Sequence, residues 1–410
     1  LKFRDYQIEI IEKAYEVLSK HKFVYLSMQV RTGKTLTAMG VAQRLPVESM
    51  LFVTKKKAMS SIQADYNKLN PNYAIEIINY ESLHKIQGKF DCIVLDESHS
   101  LGAYPKPSKR TKMVKDIILK QKPFVILMSG TPTPESFSQM YHQVYACPLN
   151  PFRDYRNFYK FSKVYVDVFQ RQLGSMTHNV YSAGKQTILD EMKPYMISYT
   201  QREAGFKAET NEEVLRVEMS DLTYKIVKQL KKDLVVEGKH TNEIILADTG
   251  VKLMSKIHQL FSGTVKFESG KSQVIDFSKA EFIRTRFSGM KVGIFYKFKA
   301  EYDALKSVYG DDLTTELEEF DTTDKSIALQ IVSGREGISL KKADCLVYYN
   351  IDFSALSYWQ SRDRMTTKDT LENKIYWIFS RDGIEDKIYE TVAKKKDYTL
   401  KHFEKDLLSL

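Results

Sequence analysis

The sequence predicts an α/β chain made of two parallel-sheet domains in tandem, and three observations predict it. Short apolar runs alternate with stretches of helical period through the first 150 residues, and the alternation resumes after residue 290. Strands alternating with helices imply right-handed strand–helix–strand units, hence a parallel sheet covered on both faces. The second observation is length: 410 residues exceed one small core and suit two. Third, three polar clusters of the first half fall where apolar runs end, the edge at which such sheets bind ligands.

The elements follow in order. Residues 5–20, "DYQIEIIEKAYEVLSK", carry apolar residues at helical spacing. "FVYLSM" (23–28) reads as a buried strand, followed by the loop of "SMQVRTGKTLTA" and a helix over 34–44. "SMLFVT" (49–54) is a second strand, "KAMSSIQADYNKL" a helix and "YAIEII" (73–78) a third strand. "FDCIVLDES" (90–98) is a strand ending in acids, and "PFVILMSGTP" (123–132) one ending in a Gly-Pro turn. These elements make a first domain over 1–150. Residues 151–212, which open with "PFRDYRNFYKFSKVYVDVFQRQ", read as a helical, aromatic extension and linker, its rings packing onto the sheet. The second domain, 213–410, holds strands at "MKVGIFYKF" (290–298), "SIALQIVSG" (326–334), "ADCLVYYN" (343–350) and "NKIYWIF" (373–379). "KFESGKSQVID" (266–276) reads as an exposed turn, and the chain ends in a basic helical tail.

Composition excludes several classes. No apolar run is long enough to span a bilayer, and the N-terminus lacks a signal-peptide pattern. Cys92, Cys147 and Cys345 lie far apart in apolar stretches, which argues against a disulfide framework or a zinc cluster and fits a reducing cytoplasm. The net charge of +10 favours a polyanionic partner.

The chemistry starts at Gly33-Lys34-Thr35, directly after a strand and before a helix. Phosphate binding needs this arrangement: amides at a helix N-terminus face the anion, Lys34 reaches the terminal phosphates and Thr35 ligates magnesium. Met28 stands where the strict eight-residue pattern has glycine, so the tripeptide alone is equally a polar turn capping a helix. Asp96-Glu97, at the end of an apolar strand, decides for the nucleotide. Asp96 can hold the magnesium and Glu97 can polarise the attacking water.

"GKT", "DESH", "SGTPTP" and "QSRDR" occur in the order seen in superfamily 2 helicases and translocases, and the chain resembles that superfamily. Within it, "FRDYQ" at the start, "NYESL" (79–83), "SGK" (269–271), "KVGIFYKF" (291–298) and "GISLKKADCLVYYNIDFS" (337–354) resemble the Snf2-like branch. The lack of large insertions resembles compact bacteriophage or bacterial DNA helicases. The resemblance implies two tandem RecA-like domains with an ATP cleft between them, ATP and Mg2+ as cofactors, and DNA (single-stranded, forked or duplex) as partner. It further implies a cytoplasmic monomer acting beside replication or recombination proteins.

Roles carry over residue by residue. Gln7 would read the adenine with Arg4 nearby, and Arg31, Thr32, Gly33, Lys34 and Thr35 would hold the nucleotide. His99, Ser129 and Thr131 would couple hydrolysis to movement, His99 toward the second domain. Gln360 and Arg364, one helical turn apart, would reach the γ-phosphate, Arg364 as arginine finger. Thr54, Lys55, Tyr80, Ser82, Lys297, Phe298, Ser333 and Gly334 match positions that touch the nucleic-acid backbone in the family. Outside this motif order each has a plainer reading, as a helix cap, loop residue or surface ion pair.

Two departures stand out. Arg31 replaces a glycine in a loop whose backbone often needs positive φ, so the loop tolerates it or Arg31 adds charge toward the phosphates. Thr367 stands where the family often has a second arginine; Lys368, one turn beyond Arg364, is placed to substitute. Weak or DNA-dependent hydrolysis would follow. The expected activity is DNA-stimulated ATPase with helicase or translocase function in replication, recombination or repair. The alternatives are a double-stranded DNA translocase or remodeller that separates no strands, and a nucleic-acid-binding module with a weakly active nucleotide site.

Overall fold

The apolar runs between Phe23 and Met128 lie side by side in one sheet. The computed structural model describes residues 2–173, 176–205, 209–238, 243–334, 338–365 and 372–394, and its contacts divide the chain into two units, residues 1–205 and 206–410. In the first unit the strands are β1 (Phe23–Met28), β2 (Ser49–Thr54), β3 (Ala74–Asn79), β4 (Cys92–Leu95) and β5 (Phe124–Met128). An antiparallel hairpin comes next, β6 (Phe169–Leu173) and β7 (Met176–Val180), and then β8 (Met196–Tyr199). The sheet runs β3-β2-β4-β5-β1-β8, and every pairing in it is parallel. Alternate residues serve opposite faces. Tyr25, Val53, Leu95 and Leu127 enter one buried cluster, while Val24, Leu26, Phe52, Val94 and Ile126 enter the other.

Helix Asp5–His21 closes the second of these faces with Ile10, Ile11, Ala14 and Leu18, and ends where Lys22 turns left-handed at φ 62°. Residues 151–205 pack with the first unit. Phe152, Phe158 and Phe161 are buried, and their rings meet one another and Tyr141 at 4.8–5.7 Å, so this aromatic segment builds core.

The second unit begins earlier than residue 213: β9 (Glu209–Val217) is already an edge strand of its sheet. Two small hairpins come after it, β10 (Val235–Glu237) with β11 (Ile244–Leu246), and β12 (Thr264–Lys266) with β13 (Ser272–Val274). The second hairpin turns at the "SGK" stretch, with Gly270 at φ 88°. Then come β14 (Val292–Tyr296), β15 (Leu313–Thr314), β16 (Ser326–Gln330), β17 (Cys345–Tyr348) and β18 (Glu372–Ser380). Their order, β15-β16-β14-β17-β18-β9, is again parallel throughout. The fold class is therefore the predicted one, two α/β units each on a six-stranded parallel sheet among the described residues. Among those residues no helix is long and apolar enough to cross a membrane.

Candidate active site

β1 delivers the loop that ends in Gly33-Lys34-Thr35. Its last residue, Met28, leads into Gln29–Gly33, and helix Lys34–Gln43 starts at once, with Gly33 as its left-handed N-cap (φ 78°). A side chain at Gly33 would be strained by that φ, and its β-carbon would meet Gln7 Nε2 at 2.6 Å. Arg31 does adopt the positive φ feared from the sequence, at 63°. Thr32 is buried and donates its hydroxyl to Gln29 O at 2.7 Å, tying the loop to itself. Gln7 lies beside the loop, as expected, and its amide braces it. Nε2 donates to Gly33 O and to Thr37 Oγ1, both at 3.3 Å, while Oε1 accepts from Arg4 N at 3.1 Å. Arg4 in turn donates to the Tyr6 hydroxyl at 3.0 Å, which donates to Thr32 O at 3.0 Å.

The acids stand at the end of β4, two strands from β1 in the sheet. Asp96 Oδ2 accepts from Thr54 Oγ1 at 2.8 Å, and Asp96 O accepts from the Tyr80 hydroxyl at 2.5 Å. Burial, and next the Glu97 carboxylate beside it, raise the Asp96 carboxyl to about 6, against the pull of the Lys34 ammonium. Glu97 turns the chain at φ 48° and places Oε2 3.3 Å from His99 Nδ1. The same nitrogen lies 2.9 Å from Ser129 Oγ, so buried His99 joins the acid motif to the loop after β5. Ser129 Oγ accepts from Thr131 N at 3.1 Å.

A β-carbon built on Gly130 would lie 3.5 Å from the Lys34 ammonium and 3.4 Å from Met28 O. The bare backbone of the SGTP loop thus borders the lysine. Lysine, loop amides at a helix N-terminus, the Thr35 hydroxyl in the first helical turn and a destabilised carboxylate pair sit at one sheet edge. That donor set fits a polyphosphate with a divalent cation, since added positive charge relieves the two adjacent acids.

One buried network beneath these loops escaped the sequence. The Tyr25 hydroxyl donates to Gln143 Oε1 at 2.7 Å and accepts from Ser98 Oγ at 2.8 Å. Gln143 Nε2 donates to Pro132 O at 2.8 Å and Gln139 O at 3.1 Å. A single amide therefore ties the strand before the phosphate loop to the acid loop and the SGTP loop. A tyrosine inside an otherwise apolar strand was the only available signal.

The residues assigned to nucleic-acid contact are placed unevenly. Thr54 and Tyr80 are buried, with hydroxyls directed to Asp96, so these two side chains support the acid from behind. Lys55 and Ser82 are partly exposed. Lys297 donates to Asp352 Oδ1 at 2.9 Å and lies 3.7 Å over the Phe353 ring, and the Phe298 amide donates to Glu301 Oε2 at 3.0 Å. Ser333 and Gly334 close the short helix Ile331–Gly334. The side chains of Ser333 and Gln360 lie outside the described residues, as do Thr367 and Lys368 entirely.

Arg364 belongs to a short 3-10 turn after helix Ala355–Ser361. It is buried to 7% exposure, donates NH1 to Ile338 O at 3.3 Å, and its carbonyl accepts from Leu340 N at 2.8 Å. Its neighbour Arg362 pairs with Glu212 of β9, whose carboxylate also accepts from Trp377 Nε1 at 2.9 Å and the Tyr358 hydroxyl at 3.0 Å. Glu212 thus anchors the arginine-bearing turn, a role the sequence did not suggest.

Among solved structures, the chain is similar to the Sulfolobus solfataricus SWI2/SNF2 ATPase core in complex with dsDNA. That likeness is 14% identity over 100% of this chain and 93% of that one, with a TM-score of 0.43. The Sulfolobus solfataricus SWI2/SNF2 ATPase core domain matches at 14% identity over 96% and 89%, again with a TM-score of 0.43. Among curated proteins no significant match is found. The SNF2-related domain family matches residues 14–275, well over half of the chain and a span that includes Lys34 and Asp96-Glu97, so the chain belongs to the SNF2-related domain family.

Proposed function

We propose that this chain is a motor that couples ATP hydrolysis to movement along DNA, with separation of strands at forks as its finer action. The observation that carries the reading is the convergence of Lys34, Asp96-Glu97 and Ser129-Gly130-Thr131 at one edge of a parallel sheet, around a carboxyl raised to about 6. Family membership and the net charge of +10 support DNA as the track.

In this reading the loop amides and Lys34 bind the β- and γ-phosphates, and Gly130 leaves the lysine room beside them. Thr35 and Asp96 hold the magnesium, which when bound neutralises phosphate charge. Thr54 and Tyr80 fix Asp96 in place. Glu97 accepts a proton from the attacking water, and His99 relays the change at Glu97 to Ser129. Arg364 and Gln360 supply polar groups from the second unit, and Lys55, Ser82, Lys297, Phe298, Ser333 and Gly334 grip the track without reading its sequence.

The test is phosphate release with and without single-stranded, duplex and forked DNA at stated salt. Lys34→Ala and Glu97→Gln should each lower DNA-stimulated turnover at least a hundredfold; wild-type rates in either would overturn the site. Displacement of a strand from a fork, run beside displacement of a third strand from a triplex, separates unwinding from translocation alone.

A further inference from the structure

A cavity of about 190 Å³ opens in the first unit; Gln143 is among its lining residues, and Asp96 and Glu97 are not. Its walls are Leu101, Val114, Ile118 and Ala146, with the edges of Tyr141 and Phe158. Three cations line it, Lys106, Lys115 and Arg156, and among the described lining residues there is no Asp or Glu. Lys106 and Arg156 are exposed at the rim. Lys115 sits deeper, with its ammonium 3.8 Å over the Tyr145 ring and no carboxylate in ion-pair reach among the described residues. Burial accordingly holds the Lys115 ammonium below its usual range. A partly buried cation that makes no ion pair among the described residues, its burial offset only in part by the Asp116 carboxylate, is complementary beside an apolar hollow to an anion carrying an apolar group.

We infer that this cavity docks an acidic peptide segment of a partner protein, with one apolar side chain inserted between Val114 and Phe158 and its flanking carboxylates on Lys115, Lys106 and Arg156. The polar wall atoms favour a peptide over a nucleotide base. Both donors of the Gln143 amide and its oxygen have partners, in Pro132 O, Gln139 O and the Tyr25 hydroxyl. Thr111 donates to Leu101 O at 2.9 Å, His142 Nε2 lies 3.0 Å from Pro105 O, and Asn157 Oδ1 accepts from Lys160 N at 3.0 Å. The three cations could meet a base's acceptor atoms, but with the Gln143 and Asn157 amide oxygens already engaged its N–H groups would find few acceptors, whereas an aliphatic or phenyl side chain needs no partner.

The test uses the full chain and an array of hexapeptides, each of four Asp or Glu residues around two positions varied over Leu, Ile, Met, Phe and Trp. Fluorescence anisotropy then measures the strongest binders beside a dT12 oligonucleotide. Binding should require both the carboxylates and the apolar residue, and should weaken at least tenfold in Lys115→Glu and in Ala146→Trp, thermal melts verifying that each variant is folded. No binder in the array, or binders indifferent to both substitutions, would overturn the inference. Oligonucleotide binding that the same two substitutions abolish would overturn it in favour of a nucleic-acid pocket.

Discussion

Arg31 holds a backbone conformation, φ 63°, that L side chains adopt at a cost of about 1–2 kcal/mol and glycine adopts freely. Glycine's larger loss of freedom on folding offsets part of the gain. Arg31→Gly is therefore expected to raise the melting temperature by roughly 2 °C in a differential scan. If Arg31 also serves the phosphates electrostatically, the same variant binds nucleotide more weakly while melting higher. Asp96 gives a pH-dependent prediction. Its folded pKa of about 6 lies above the ordinary 3.8, so between pH 4 and 6 the folded chain keeps a proton that the unfolded chain has released. Its contribution favours folding most at low pH and declines as pH rises through 6. Cation binding runs the other way, because it needs the carboxylate. Magnesium-dependent nucleotide affinity should fall from pH 7 to pH 5, and Asp96→Asn should flatten that profile. The placement of Lys34 and Asp96 at one sheet edge was legible because each comes after an apolar strand, and the two clusters together point to the edge where parallel sheets bind ligands. Tyr25 and Gln143 were not, since their partners Ser98 and Pro132 come from loops that only the folded sheet brings together.

At the scale of elements, the apolar strands were readable, the edge strand β3 among them, and the edge strands β8, β9 and β15 were not. β8 is only the four residues "MISY", and β9, "ETNEEVLRV", opens with five polar or charged residues and carries no apolar run, a composition equally suited to an exposed segment. β9 nevertheless supplies Glu212, the acceptor shared by Arg362, Trp377 and Tyr358. Glu212→Gln keeps the shape but removes the charge opposite Arg362, and should cost on the order of 2–3 kcal/mol in urea unfolding. It should also slow DNA-stimulated turnover more than it weakens nucleotide binding, because the turn it anchors carries Arg364. Equal loss of both would argue that Glu212 serves stability alone.

For the whole molecule, the second unit starts just ahead of the edge strand β9, not within it. A fragment of residues 1–205 contains a complete six-stranded sheet with the phosphate loop, the acids and the SGTP loop. It is expected to melt in one transition and to bind Mg2+–ATP, measured by calorimetry, yet to release phosphate at background rate. Multiple turnover by that fragment would remove Gln360 and Arg364 from the mechanism. A fragment beginning at residue 213 lacks half of β9 and Glu212 with it, which is why a boundary set by composition alone misplaces the division.

The nine register pairs between β9 and β18 bear on how tension travels through the chain. β9 begins four residues after the first unit ends (209 − 205 = 4), so any pull through the connecting peptide arrives at the head of this strand. Because its neighbour runs parallel, the ladder meets that pull lengthwise: its hydrogen bonds are loaded together and must slip as a set, where a hairpin would open one rung at a time. A strand seated this way resists a pull at its head, and single-molecule stretching should find β9 among the last segments of the second unit to yield.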